Sequence, residues 1–138
     1  MKLVSVYDTI KDGSEICLYR LLGERTPEQS ISHRGMPTLE EHQKFIRRKP
    51  YRSWFMIENN YAEWVGSIYL SKQNEIGIFI FKAEQGNGHA YWAAQQLKRI
   101  YRGERLLANI NPANTASIEF FKKFGAKHIQ NTYQLEEN

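Results

Sequence analysis

One cysteine, Cys17, is all the thiol chemistry in this chain of 138 residues. That excludes an internal disulfide framework and a cysteine-based zinc cluster. No HExxH spacing or other paired arrangement of ligating residues occurs either, so no metal is expected. The longest apolar runs fall far short of the roughly 20 residues that a membrane span requires. The opening MKLVSVYDTIKDG lacks the continuous apolar stretch of a signal peptide. Neither a membrane nor a secretory route is implied, and a cytoplasmic protein is the default expectation. No repeat, low-complexity tract or linker divides the sequence. At this length the chain can bury one core and is too short for two ordinary domains, so residues 1–138 are expected to form a single domain.

What the chain does contain is a globular mixture, 41% hydrophobic and 25% charged. Nineteen basic residues stand against fifteen acidic ones, a net charge of +4. The basic residues cluster at Arg47, Arg48, Lys49 and Arg52, and again at Lys98, Arg99, Arg102 and Arg105. Neither cluster has the interleaved aromatics of a nucleic-acid module, and no nucleic acid is expected as a partner. The excess is either an ordinary solvated surface or the counterpart of an anionic ligand.

Hydrophobic periodicity divides the chain into alternating elements. A short first strand at 3–8 is followed by a helix over 14–25 and a turn-rich loop, TPEQSISHRGMP. Thr38-Leu-Glu-Glu41 is a capping box, and Leu39, His42, Phe45 and Ile46 share one face of the helix it opens. Strands are expected at about 51–58, 62–71 and 75–82, joined by short Asn-containing turns. In the third, Ile76, Ile78 and Ile80 face one way and Glu75, Gly77, Phe79 and Phe81 the other, the pattern of a buried strand. A helix over 88–102 should bury Ala90, Tyr91, Ala94, Leu97 and Tyr101. A strand at 106–110, a helix over 114–124 and a strand-like tail complete the order. The fold class is α/β (α+β): a mixed central sheet flanked by helices.

The most informative stretch is EIGIFIFKAEQGNGHA, residues 75–90. An apolar strand delivers the chain, glycines let it turn, and Gln85-x-x-Gly88-x-Ala90 opens a helix. The first amides of that helix have no intrahelical partner, and with the positive end of the helix dipole they suit a pyrophosphate.

This order of elements, with Gln85-x-x-Gly88-x-Ala90 after the strand, resembles the GNAT superfamily of acyl-coenzyme A N-acetyltransferases. A second match reinforces it: LLANI, then Asn111-Pro-Ala-Asn114-Thr-Ala-Ser117-Ile-Glu-Phe-Phe-Lys-Lys-Phe-Gly125. Glu75-Ile-Gly-Ile-Phe-Ile and Asn114-x-x-Ser117 look most like the branch that acetylates ribosomal-protein N-termini, polyamines and amino sugars. The resemblance implies acetyl-coenzyme A as donor and a primary amine as acceptor. It implies that backbone near Ile78 and Ile80 pairs with the pantetheine arm, where LLANI splays from EIGIFIF. Gln85, Gly86, Asn87, Gly88, His89 and Ala90 would line the pyrophosphate, with Asn114 and Phe121 also against the cofactor.

Transfer to an amine needs a base, a polarised carbonyl and a proton for the leaving thiolate. Glu75 is the first candidate base, with Gly77 on the same face leaving room for a substrate; alternatively it pairs with an arginine or caps its strand. The family's thiolate-protonating tyrosine matches Phe121, which has no proton to give. Ser117, one turn earlier, is the nearest hydroxyl, unless it bonds the preceding helical turn. Asn114 could bond the pantetheine or a water, or act as a helix N-cap. His33, in the loop expected to cover the acceptor, is an alternative base or substrate contact. His42 reads as packed. Trp54, Trp64 and Tyr69 read as core or as aromatics flanking the acceptor.

The acceptor is expected to be a small-molecule amine. Net positive charge disfavours polycations and suits an acceptor with its own phosphates, so a nucleotide-linked amino sugar is favoured. A protein N-terminal or lysine amine is the alternative, as is a non-catalytic acyl-coenzyme A binding domain. A sheet shorter than in many relatives leaves an edge that could pair with a second copy as a homodimer.

Overall fold

The computed structural model of the chain describes residues 1–26 and 35–136. Four strands pair in chain order, each antiparallel to its neighbour: β1 (Lys2–Ser5), β2 (Ser53–Glu58), β3 (Trp64–Leu70) and β4 (Ile76–Ile80). Helices α1 (Ser14–Gly23) and α2 (Leu39–Arg47) precede β2; α3 (His89–Ile100) and α4 (Thr115–Lys123) follow β4.

Strand alternation sends side chains to two hydrophobic layers, one on each face of the sheet. From β2, Trp54 and Met56 join Val6, Leu18 of α1 and Ile46 of α2. Ile57, with Val65, Ile68 and Leu70 of β3, packs against Ala93 and Leu97 of α3, where Ile76, Ile78 and Ile80 also lie. The capping box forms as read: the Thr38 hydroxyl accepts from the Glu41 N–H, and the Glu41 carboxylate accepts from the Thr38 N–H. Glu15 of α1, only 4% exposed, receives both Nε and Nη2 of Arg47 at 3.0 Å, tying α1 to α2.

Three expectations need correction. The strand at 106–110 shrinks to one parallel bridge, Glu75 with Leu107, where the Ile76 N–H donates to Leu107 O at 2.7 Å and the Leu107 N–H to Asn74 O at 2.8 Å. Past Leu107 the chain leaves β4 for the turn before α4, where the Asn114 N–H donates to Asn111 O. The tail forms no strand among the described residues: Ala126 to Glu136 is exposed, because no edge meets its backbone groups. In α3 the buried face is Ala93, Ala94 and Leu97, whereas Ala90 is half-buried and Tyr91 is 46% exposed, its ring edge-on to Phe124 at 5.2 Å.

Candidate functional site

The turn after β4 is built to leave donors free. A 3₁₀ turn (Lys82–Glu84) leads to Gly86 at φ 84° and Gly88 at φ 77°, both left-handed. Gly88 is the N-cap of α3 and offers no side-chain cap, and no acidic residue stands in the first helical turn. The opening amides of α3 therefore face outward with the helix dipole behind them. Side chains brace the turn: Gln85 Nε2 donates to Ile80 O at 3.2 Å, and Asn87 Nδ2 donates to Glu84 O at 3.1 Å. His89 stands 3.9 Å from the Glu84 carboxylate by Nε2, while its buried Nδ1 has no hydrogen-bond partner. Above lies an open cavity of about 260 Å³ lined by Ile80, Gly86, Gly88, Ala90, Tyr91 and Lys123, among others.

The free edge of β4 leads into that cavity. Along a strand, alternate residues turn N–H and C=O to the same side. Ile76 directs its N–H to Leu107, while Gly77 and Phe79 face β3 as partners of Tyr69 and Ser67. Ile78 and Ile80 consequently present their polar groups to the side where β4 and the chain beyond Leu107 have parted. Ile80 O is taken by Gln85. The Ile80 N–H and both groups of Ile78 have no partner among the described residues.

Glu75 stands at the other end of β4, about 17 Å from Ile80 at the usual strand rise. Its N–H donates to Ser71 Oγ at 2.9 Å, and its carboxylate makes no ion pair among the described residues. The nearby Arg52 is held by Glu104 at 2.6 Å and by Asn74 instead. Gly77 does not leave a void for substrate as expected: a Cβ there would lie 2.1 Å from Cζ of Tyr69, whose ring fills the space. Tyr69 stacks on Tyr51 at 3.8 Å and within 4° of parallel. Burial first, and then Tyr69, push the Tyr51 hydroxyl well above its ordinary pKa. His42 is packed, as read: it is 7% exposed between Tyr19 and Phe45, and burial followed by the nearby Arg25 charge hold its pKa below the usual imidazole value.

On α4, Asn114 is the N-cap, its Oδ1 accepting from the Ser117 N–H at 3.1 Å. Ser117 is half-buried, and its hydroxyl has no hydrogen-bond partner among the described residues, so the bond to the preceding turn does not form. Phe121 packs against Phe120 at 5.0 Å, and it is Phe120, with Lys123, that lines the cavity. His33 lies outside the described residues. The basic cluster on α2 is largely occupied: Arg47 by Glu15, Arg52 by Glu104, Lys49 over Tyr7 and Arg48 over Phe45. Reading the sequence missed Phe120, Lys123 and Tyr91; helical spacing from His89 and Asn114 was the signal that could have found them.

A family model, the acetyltransferase (GNAT) domain, matches residues 18–127. The chain belongs to the GNAT family. No curated protein matches the sequence significantly. Among solved structures, this GNAT domain is similar to an N-acetyltransferase from Staphylococcus aureus Mu50, with TM-score 0.67 and 21% identity over 94% of this chain and 83% of that one. It is also similar to the spermidine/spermine N-acetyltransferase SpeG from Vibrio cholerae, solved with manganese ions, with TM-score 0.63 and 13% identity over 90% and 75% of the two chains. An acetyltransferase from Trypanosoma brucei matches with TM-score 0.58 and 15% identity over 99% and 97%. At these identities the likenesses show the fold. Among the described residues of this GNAT domain, no group of three or more His, Cys, Asp or Glu is placed to hold a metal, and no helix is long and apolar enough to cross a membrane.

Proposed function

We propose that this GNAT protein transfers the acetyl group of acetyl-coenzyme A to a primary amine on a small molecule, and that a nucleotide-linked amino sugar is the acceptor. One observation carries the transferase reading: the unpaired edge at Ile78 and Ile80 runs directly into the uncapped N-terminus of α3. An extended amide arm ending in a pyrophosphate matches that sequence of donors and acceptors. The Ile80 N–H would pair with the arm, while the amides at Gly88, His89 and Ala90, aided by Lys123, would hold the pyrophosphate. His89 Nδ1, buried without a partner, is one further polar atom beside that site.

The chain's own residues can then do three things. Glu75, unpaired among the described residues, takes the proton that an incoming ammonium must lose, directly or through water. The Ile78 N–H, farther from the turn and on the Glu75 side, points into the parting of the strands and can polarise a carbonyl placed there. Ser117 can return a proton to the departing thiolate where Phe121 cannot, since its hydroxyl is not engaged by a described residue. Because Phe121 has no hydroxyl, a domain that binds acyl-coenzyme A without transferring it is the second reading.

Free-thiol release from acetyl-coenzyme A across a panel of amines tests both. The panel holds nucleotide-linked amino sugars, free amino sugars, polyamines, aminoglycosides and peptide N-termini, with a no-acceptor control. Release with a sugar nucleotide is the expected result. Release only with polyamines or peptides keeps the transferase and sinks the proposed acceptor. Binding of acetyl-coenzyme A with no release from any amine supports the second reading.

A further inference from the structure

We infer that Arg25 is the acceptor's anion anchor, which makes this protein selective for amines carrying a phosphate; the inference rests on the transferase reading above. Arg25 follows α1 and is an exposed residue, yet its side chain folds back onto the sheet. Its guanidinium carbon lies over the Phe79 ring, 3.7 Å from the centroid, a cation held against an aromatic face. Phe79 belongs to the face of β4 that also carries Glu75 and Gly77, so the pinned cation and the unpaired carboxylate share one face of one strand. Beside Phe79 stand the stacked Tyr69 and Tyr51, with ring centroids of Phe79 and Tyr69 6.4 Å apart.

Two polar atoms in this aromatic nest are buried without a hydrogen-bond partner among the described residues, His42 Nε2 and Trp54 Nε1. His42 is near enough to feel the Arg25 charge, and the Trp54 ring lies 4.7 Å from Tyr51. No carboxylate among the described residues pairs with Arg25, although Arg47 and Arg52 each have one. A guanidinium set against a ring, with no acidic partner among the described residues, is prepared for the forked contact that arginine makes with phosphate oxygens. Glu75 on the same face supplies the opposite charge. The pair fits a molecule bearing both an ammonium and a phosphate, and it disfavours polyamines, which Arg25 would repel.

Calorimetric titration of the full chain, saturated with coenzyme A, tests the assignment with glucosamine 6-phosphate and glucosamine as probes. The wild type should bind the phosphorylated amine about tenfold tighter or better. Arg25→Gln should bring the two amines within about twofold of each other, with coenzyme A affinity unchanged, and Arg25→Lys should keep part of the preference. A wild type without preference, a preference that survives Arg25→Gln, or a loss of coenzyme A affinity in that variant each overturns the inference; the last would put Arg25 in the donor site. Thiol release measured in parallel separates this inference from the one beneath it. Preference in binding without release sinks the transferase and leaves Arg25 as an anion site, whereas release without an Arg25-dependent preference does the reverse.

Discussion

At Gly88 the backbone holds φ 77° at the point where the amides of α3 open outward. A side chain there is strained in that conformation and would project where an anion belongs. Gly88→Glu adds a like charge, and coenzyme A affinity measured by calorimetry should fall by more than about tenfold while the unfolding transition stays cooperative; an unchanged affinity moves the donor site elsewhere. Glu75 is tested by a quieter substitution. Glu75→Gln keeps the size and loses the base, so turnover at pH 7 should drop by about 100-fold or more, with coenzyme A affinity retained. A rate equal to wild type removes Glu75 from the chemistry. The third residue with a sharp consequence is His42. Its folded pKa lies below the ordinary value, so the unfolded chain takes up the proton first as pH falls. The stability this imidazole contributes is therefore full above the unfolded value, about 6.5, and is lost as pH drops from there through the lowered folded value. Denaturant unfolding at pH 7.5 and 5.5 should show the wild type weakening more than His42→Phe; parallel losses would assign the pH response to other groups.

Among the elements, β3 and β4 carry the tightest packing constraint. Tyr69 lies over Gly77 and under Tyr51, and a methyl at Gly77 would meet the Tyr69 ring at 2.1 Å. Gly77→Ala should cost about 1–3 kcal/mol in denaturant unfolding and change the near-ultraviolet circular dichroism of the stacked rings. An unaltered spectrum would mean that Tyr69 can step aside. The same elements show what could be read in advance. The hairpin strands and the Thr38 cap were legible because their signals are local: short apolar runs bounded by Asn-containing turns, and a hydroxyl and a carboxylate three residues apart. LLANI is a short apolar run and the tail alternates, yet neither forms an extended strand, since a strand exists only where a neighbouring edge accepts its backbone. The family resemblance puts Phe121 against the cofactor, yet it is Phe120 that lines the cavity. One residue along a helix turns the side chain by about 100°, and an apolar stretch with three phenylalanines does not announce its phase. Arg25 was invisible for a further reason. It lies beside Phe79 only after α1 packs against the sheet, so no spacing in the chain could show the pair.

For the whole molecule, the net charge of +4 is a weaker guide than the location of unpaired charge. The basic residues that dominate the count around α2 are largely engaged, whereas Lys123 stands at the cavity and Arg25 on the β4 face, with Arg20 over Phe81 beside it. Their separation gives the molecule two addresses for negative charge, one at the turn into α3 and one on the β4 face beside the aromatic nest. The nest also gives the protein an optical property of its own. Trp54 is 5% exposed and has Tyr51, Tyr69 and Phe45 around it with ring centroids within 6.2 Å. Shielded from water, this indole should emit at short wavelength, and the adjoining phenols are close enough to pass it their excitation. Any compound that settles among these rings would perturb that emission, so occupancy of the acceptor side could be followed by light from the unlabelled chain, independently of whether a turnover ever takes place.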